Sequence, residues 1–395
     1  MRRSRGTTAR RVALAALLLG AAAPSTHAAA KQVPHGKLEL INGYKVLSLD
    51  GTPEQMGTAC GQLLGPTIRR VIRQLITEGF GRDPRAYANI VAGCKVMEKH
   101  QPKAYLTELK ALAAAAKVRY RDLLMLQYFG DVRRCITGPG SALMCTSFAV
   151  LPPLTRERAC LVGRNLDYFD HGVSEYAAVL AYYRPTGKIP FATVTWAGIT
   201  NGWTALNAKG IVVSNNTAFG AKTNSLKGVA TCFLLRQVAE HAATLDQGID
   251  LVKKAKRTCG TNLLIASGNP PDAAVLEFDH AAIRVRRAKG GFVGAANSFL
   301  QLYRPEVKEI EYDGRVALAE ALAKAFKGKV DIRCNIAGAD FVPIHSMNLH
   351  SATIDATRGI LKVAMGKIPA YKLPYKTFRL TDKGLVAHTV PKRPR

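Results

Sequence analysis

Residues 141–150 read "SALMCTSFAV", and residues 163–170 read "GRNLDYFD". Cys145 stands between the Gly/Pro/Ser loop "TGPGSA" (137–142) and an apolar, strand-like run, and Arg164 and Asp167 stand on the next such run. The period of the chain changes here. Upstream, apolar residues recur at helical spacing in 84–101 and in "YLTELKALAAAAK" (105–117), with "YRDLLMLQYF" following. Asp50 to Pro53 gives a turn and a helix start, so the first third of the chain reads as a helical layer.

Downstream, short β-branched or aromatic runs are split by Gly, Pro and Asn: "CTSFAVL", "ACLVGRNL", "YAAVLAYY", "FATVTWAG" and "WTALNAKGIVVSNN". "NAKG" (207–210) is a hairpin turn, because Asn and Gly tolerate the positive φ that tight turns demand. Two helices follow, "GVATCFLLRQVAEHA" and "TLDQGIDLVKKAK", before strands resume with "TNLLIASG", "AAVLEFD", "AAIRVRRA" and "GFVGAAN". A further helix, "GRVALAEALAKAF" (314–326), precedes C-terminal strands in "IHSMNLHSATID", "GILKVAMG" and "KTFRL". Antiparallel hairpins grouped around a helical pair predict sheets layered with helices, a fold of the α+β class.

The N-terminus carries Arg2, Arg3, Arg5, Arg10 and Arg11 without an acidic residue, then the apolar run "VALAALLLGAAA" (12–23) and "THAAA". This predicts a secretory signal over 1–30, too short in its apolar run to span a bilayer, and a periplasmic or secreted product. "ARRVAL" faintly echoes a twin-arginine signal, and the export route stays open. Loss of those five arginines takes the formal net charge from +28 to +23. Such a charge favours anionic partners, among them an anionic envelope surface, but the basic residues are dispersed, with no cluster beyond short ones such as "RVRR" (284–287). No specific nucleic-acid site is expected.

The eight cysteines, Cys60, Cys94, Cys135, Cys145, Cys160, Cys232, Cys259 and Cys334, form no C-x-x-C pair, so neither a zinc site nor a redox motif is expected, and no cofactor. Export permits disulfides, but the scattered spacing predicts no framework. His345 and His350 lie five apart on a strand-like run, where they face opposite sides and do not chelate together.

A thiol becomes a nucleophile when a base can take its proton, and nothing local to Cys145 offers one; His171 is 26 residues away. If the bond before Cys145 is cut, the new α-amine, with a reference pKa of about 7.7, sits on the nucleophilic residue itself. A flexible loop before the cysteine and a strand after it fit that chemistry. A buried structural cysteine, with Arg164 and Asp167 as an ion pair, is the plain alternative.

"MCTSFAV" with "GRNLDYF" resembles the nucleophile region of the N-terminal nucleophile hydrolases of the choloylglycine hydrolase and penicillin V acylase group. "GTPEQMGTACGQLL" and "YLTELKALAAAAKVRYRDLLML" resemble the pro-segment of the acyl-CoA:6-aminopenicillanic acid acyltransferase-like cysteine peptidase family. "LNAKGIVVSNNTA", "TNLLIAS…AAVLEFD", "GAANSF" and "HSATIDATRGILKVAMG…YKTFRL" continue the likeness in order over about residues 45–380. The resemblance implies an αββα four-layer sandwich, a helical pro-segment at 31–144 and a catalytic domain at 145–395 divided by self-cleavage of Met144–Cys145.

It also implies roles. Cys145 would be nucleophile and new N-terminus, Asp167 would hold the α-amine, and Arg164 would sit beside the thiol. Asn216 and Asn297 fall where the family builds its oxyanion hole. Arg315 in "DGRVAL" is the weakest match, because "EYDG" replaces the usual serine-rich approach. Asn215 reads as a turn residue. The expected activity is hydrolysis of a small-molecule linear acyl amide through a thioester. Acyl transfer at the same site and a non-catalytic basic envelope-binding protein are the rivals. Acyl and amine specificity and oligomeric state stay open.

Overall fold

The computed structural model describes residues 30–137, 144–303 and 314–391. The expected signal segment, except for its last residue, and the loop 138–143 lie outside them. The first strands are β1 (Lys31–Val33), β2 (Gly36–Ile41), β3 (Tyr44–Gly51), β4 (Met144–Val150), β5 (Leu161–Asp167), β6 (Ala178–Pro185), β7 (Phe191–Trp196), β8 (Thr204–Asn207) and β9 (Ile211–Thr217). They are followed by β10 (Thr261–Gly268), β11 (Pro271–Phe278), β12 (Ile283–Arg287), β13 (Phe292–Ala295), β14 (Asn348–Asp355), β15 (Ile360–Met365), β16 (Lys376–Thr381) and β17 (Gly384–Ala387). The helices are α1 (Pro53–Ile72), α2 (Pro84–Glu98), α3 (Lys103–Ala116), α4 (Tyr120–Thr137), α5 (Ser174–Ala177), α6 (Thr231–His241), α7 (Leu245–Lys254) and α8 (Gly314–Ala325).

Two sheets form. A 10-stranded sheet runs β1-β2-β3-β6-β7-β8-β9-β10-β11-β12, and a 7-stranded sheet runs β13-β4-β5-β14-β15-β16-β17. Among the described strands every ladder is antiparallel except that of β3 with β6. The alternation of side chains across a strand sorts the core into layers. On β10, Leu264 and Ala266 pack between the sheets, against β5 and β14 residues such as Val162, Ala352 and Ile354, while Leu263 and Ile265 face helices α1, α3, α4, α6 and α7. The outer face of the smaller sheet buries Phe148, Val150 and Leu161 against Val316, Ala319 and Ala323 of α8. The order is helices, sheet, sheet, helix, so the layering is the αββα four-layer sandwich that the resemblance implies. Strands such as β10 are buried along their whole length because both faces are covered.

Local signals match the elements they start. Thr52 caps α1 through Gln55 N at 3.3 Å, and the Gln55 side chain returns the bond to Thr52 N at 2.8 Å, with Pro53 at the first position. Gly210, at φ +75°, closes the expected β8–β9 turn. The segment 31–144, expected to be helical, opens instead with strands: Lys31–Gly51 is three strands at one edge of the larger sheet. Asn42 (φ +52°) and Gly43 (φ +81°) turn β2 back on β3, an Asn-Gly hairpin between alternating apolar residues.

The helical layer is anchored to the sheet side by charge as well as by apolar packing. Arg236 on α6 donates to both carboxylate oxygens of Glu108 on α3, at 3.0 and 2.6 Å, and to Glu240 at 2.8 Å, all fully buried. Tyr105 and Lys188 complete Glu240's shell at 2.7 and 2.5 Å. A bidentate pair of this kind is costly to break on one side only, because the remaining charge stays in the core. No described helix is long and apolar enough to cross a membrane.

Candidate active site

Cys145 is the second residue of β4, and its surroundings follow from where the neighbouring strand stops. β13 pairs with β4 only from Ser147, opposite Ala295, to Val150. The backbone of Cys145 therefore has no strand partner on that side, and its polar groups need others. Side chains supply them. Asn297 Oδ1 accepts the Cys145 N–H at 2.9 Å, and Arg315 Nη1 donates to the Cys145 carbonyl at 3.0 Å and to Thr146 Oγ1 at 2.8 Å. Arg315 Nη2 also donates to Asn297 Oδ1 at 2.8 Å, and Asn297 Nδ2 donates to Thr217 O at 2.7 Å.

Register separates the remaining residues into two faces of β4 and β5. Cys145 pairs with Leu166 and Ser147 with Arg164, so these share the inter-sheet face; Met144 pairs with Asp167 on the other. On the thiol's face Arg164 is fully buried, with Nη1 donating to Asn216 Oδ1 at 2.7 Å and Nε to Thr204 Oγ1 at 3.3 Å. Among the described residues it has no carboxylate within ion-pair distance, and Nη2 has no hydrogen-bond partner. A buried cation without a counterion favours an anion nearby. The Asn216 amide nitrogen donates to Ser147 Oγ at 2.7 Å and Ala295 O at 3.2 Å, so in this arrangement Asn216 orients Arg164.

On the opposite face Asp167 lies 3.6 Å from Arg315 and accepts from Asn348 Nδ2 at 2.8 Å. Burial pushes its carboxyl from 3.8 up to about 6, against the pull of Asn348 and of the Arg315 charge. The six residues expected from the sequence thus gather at one place: Asn297 and Arg315 on the Cys145 backbone, Asp167 beside Arg315, and Arg164 with Asn216 on the thiol side.

The sequence reading passed over several neighbours. Thr204 bridges Arg164 to His350 Nε2, which lies 3.1 Å from its hydroxyl. Burial, and then the Arg164 charge, hold His350 well below its ordinary value, so its imidazole is neutral at pH 7. His345 stands apart, ahead of β14 and half-exposed. Asn215 is a strand residue of β9, not a turn residue, and it lines the cavity described next. The signal that could have found these residues is a polar residue inside a run otherwise buried on both faces, as in "NNT" and "NLHS".

Cys145 opens on a cavity of about 400 Å³. Its walls are mainly apolar: Val71 and Leu75 from the end of α1 and the turn after it, Leu126 and Phe129 from α4, and Leu166, Trp196, Ile199, Trp203 and Leu349 from the sheet side. Tyr168, Phe169 and His171 add an aromatic rim, with Phe129 5.8 Å from Phe80 and 6.3 Å from Tyr168 between ring centres. Arg133 and Arg134 stand on the same wall, Arg134 paired with Asp131 at 2.6 Å. Residues from both sides of the expected cut line this cavity. Among the described residues no group of His, Cys, Asp and Glu is placed to hold a metal ion.

Comparison with known proteins gives the following. The sequence model described as "Acyl-coenzyme A:6-aminopenicillanic acid acyl-transferase" matches residues 154–317. Protein dcd1A of Dictyostelium discoideum is 22% identical over 375 residues, which are 85% of this chain and 82% of that protein. Among solved structures, the Caenorhabditis elegans ortholog of N-acylethanolamine-hydrolyzing acid amidase is 16% identical, with a TM-score of 0.44 over 54% of this chain and 93% of that one. Penicillin V acylase from Agrobacterium tumefaciens is 12% identical, with a TM-score of 0.41 over 61% of this chain and 92% of that one. Over residues 154–317 the chain is thus similar to the acyl-coenzyme A:6-aminopenicillanic acid acyl-transferase family.

Proposed function

We propose that the protein is an exported amidohydrolase of linear acyl amides, with Cys145 as nucleophile after autoproteolysis at Met144–Cys145. The observation that carries this reading is the clamp on the Cys145 backbone, with Asn297 on its N–H at 2.9 Å and Arg315 on its carbonyl at 3.0 Å, beside an apolar cavity. A main-chain nitrogen held by side chains instead of by a strand is one that can take a new role once its acyl bond is gone.

In maturation, Cys145 Sγ attacks the Met144 carbonyl carbon. The C–N bond breaks as the C–S bond forms, and the proton passes from sulfur to the departing nitrogen. Water then hydrolyses the thioester, leaving the Met144 carboxylate and a free α-amine on Cys145. In turnover that amine takes the thiol proton and gives it to the leaving amine of the substrate, and water releases the acid from the acyl thioester. Asn297 Oδ1 and Asp167 hold the α-amine, Asn297 Nδ2 receives the developing oxyanion by turning to it from the Thr217 carbonyl it meets at 2.7 Å in the uncut chain, and Arg164 stabilises the thiolate from the inter-sheet side. The apolar cavity takes the acyl chain.

Intact mass of the purified chain tests the reading. Wild type should give two fragments meeting at 144/145, Cys145→Ala one uncut chain, and the wild type should release acid from a panel of acyl amides. A Cys145→Ala chain cut at the same bond in a protease-free host would refute self-cleavage, and an uncut, inactive wild type would leave a binding protein. The family description favours one second reading, in which an amine replaces water and the acyl group is transferred. The basic surface is proposed to draw anionic substrates or to dock on an anionic envelope face. If so, kcat/KM for an anionic acyl amide should fall several-fold between about 0.02 and about 0.5 M NaCl while a neutral analogue is unchanged, and equal responses would remove that role.

A further inference from the structure

Two thiols outside the catalytic cluster meet across the proposed cut. Cys135 lies in the last turns of α4 and is partly exposed; Cys259 is buried in the link between α7 and β10. The Cys135 thiol is a neighbour of the Cys259 thiol. The surrounding bonds fix this meeting independently. Residues 131, 134 and 135 share one face of α4 at helical spacing. Asp131 Oδ2 accepts from Thr258 Oγ1 at 3.0 Å, and Arg134 Nη1 donates to Gly260 O at 2.7 Å. Three consecutive residues, 258 to 260, are thus each met by that face. Asp131 Oδ2 also accepts from Thr231 N at 2.6 Å, which ties the start of α6 to the same point.

We propose that Cys135 and Cys259 are a modification site, a thiol pair that oxidises to a disulfide joining α4 to the segment leading into β10. The oxidant is a disulfide, either small-molecule or protein-borne, as an exported chain would meet. Cys135, the accessible partner, attacks it as thiolate and displaces one thiol, giving a mixed disulfide. The Cys259 thiolate then attacks the Cys135 sulfur and displaces the second thiol. Two protein thiols are oxidised and one disulfide is reduced to two thiols, so electrons and protons balance. Burial holds the Cys259 thiol well above its ordinary range, which makes the second step the slow one and speeds it as pH rises. Because one cysteine precedes residue 144 and the other follows it, the bond would staple the two fragments together beside the cavity wall. That inter-fragment role rests on the cleavage reading, whereas the bond itself does not.

The test uses the full wild-type chain and its Cys145→Ala variant, each incubated with glutathione disulfide, alkylated and mapped without reduction. The expected result is a Cys135–Cys259 linked peptide from both. Wild type should also run as one band on a non-reducing denaturing gel and split into two when reductant is added, and Cys135→Ser should abolish the linked band. Recovery of both cysteines alkylated after oxidation of the folded chain, or Cys135 linked to a different cysteine, would overturn the proposal. A linked peptide in a wild type that does not split on reduction would uphold the staple and defeat the cleavage reading instead.

Discussion

Asp167 offers a test that reads on the precursor alone. In the uncut chain the residue is fully buried, and its carboxyl is raised from 3.8 to about 6, chiefly by burial. A rise of roughly two units corresponds to about 3 kcal/mol between its two protonation states. The folded pKa exceeds the unfolded one, so between pH 3.8 and about 6 the folded chain keeps a proton that the unfolded chain has released. The associated stability is complete below pH 3.8 and is lost as pH rises through about 6. Asp167→Asn removes the titration and keeps an oxygen for the Asn348 N–H that now reaches Asp167 Oδ1 at 2.8 Å. Placed in a Cys145→Ala background, which stays uncut, Asp167→Asn should gain stability relative to its parent by about 2 kcal/mol as pH rises from 4 to 7. Urea unfolding at a series of pH values measures the difference directly. Parallel pH profiles for the two proteins would refute the buried-carboxyl account and place Asp167 in a wetter or better-paired setting than its geometry implies. In the cut protein the same carboxyl would face the new ammonium of Cys145, and its titration should move back down.

Asn297→Ala should lower turnover by about 10² or more, the usual penalty for losing one oxyanion donor, and unchanged turnover would move that role elsewhere. Arg164→Met removes the buried charge on the thiol's side and should slow alkylation of Cys145 by iodoacetamide at pH 7 by about tenfold, with mass spectrometry of the modified peptide as readout; an equal rate would leave Arg164 a packing residue.

Much of the layering could be read from the chain because it is written in short-range pattern. The change from helical to alternating period at Cys145, the capping Thr52 with Gln55, and the turn at Asn207 to Gly210 each state a local preference that the fold keeps. The Asn42–Gly43 hairpin was equally legible from "LELINGYKVL", and it was overlooked because the helical pattern after it dominated the reading. The site is different. That Cys145 lacks a strand partner on the β13 side depends on β13 ending at Ala295, and the arrival of Asn297 and Arg315 depends on contacts with segments 152 and 170 residues away. Asn297 and Arg315 were named through resemblance, not pattern. Thr204 was missed, and His350 was read only as a residue that does not chelate, because Thr204 reaches Arg164 and His350 from the other sheet, which no local spacing encodes.

The ladder between β3 and β6, running in register from Val46 opposite Leu180 to Gly51 opposite Pro185, has a consequence for what a cut chain would be. Its two strands lie on opposite sides of residue 144, as do Glu108 and Arg236. A break at that point would turn one polypeptide into an obligate heterodimer whose halves share a sheet, a buried ion pair and a binding cavity. Such a pair does not behave like an enzyme and its discarded inhibitor. Separation would strip an edge from the larger sheet and open the core to water, so specific activity should hold on extreme dilution, and neither half expressed alone should be recoverable in soluble form.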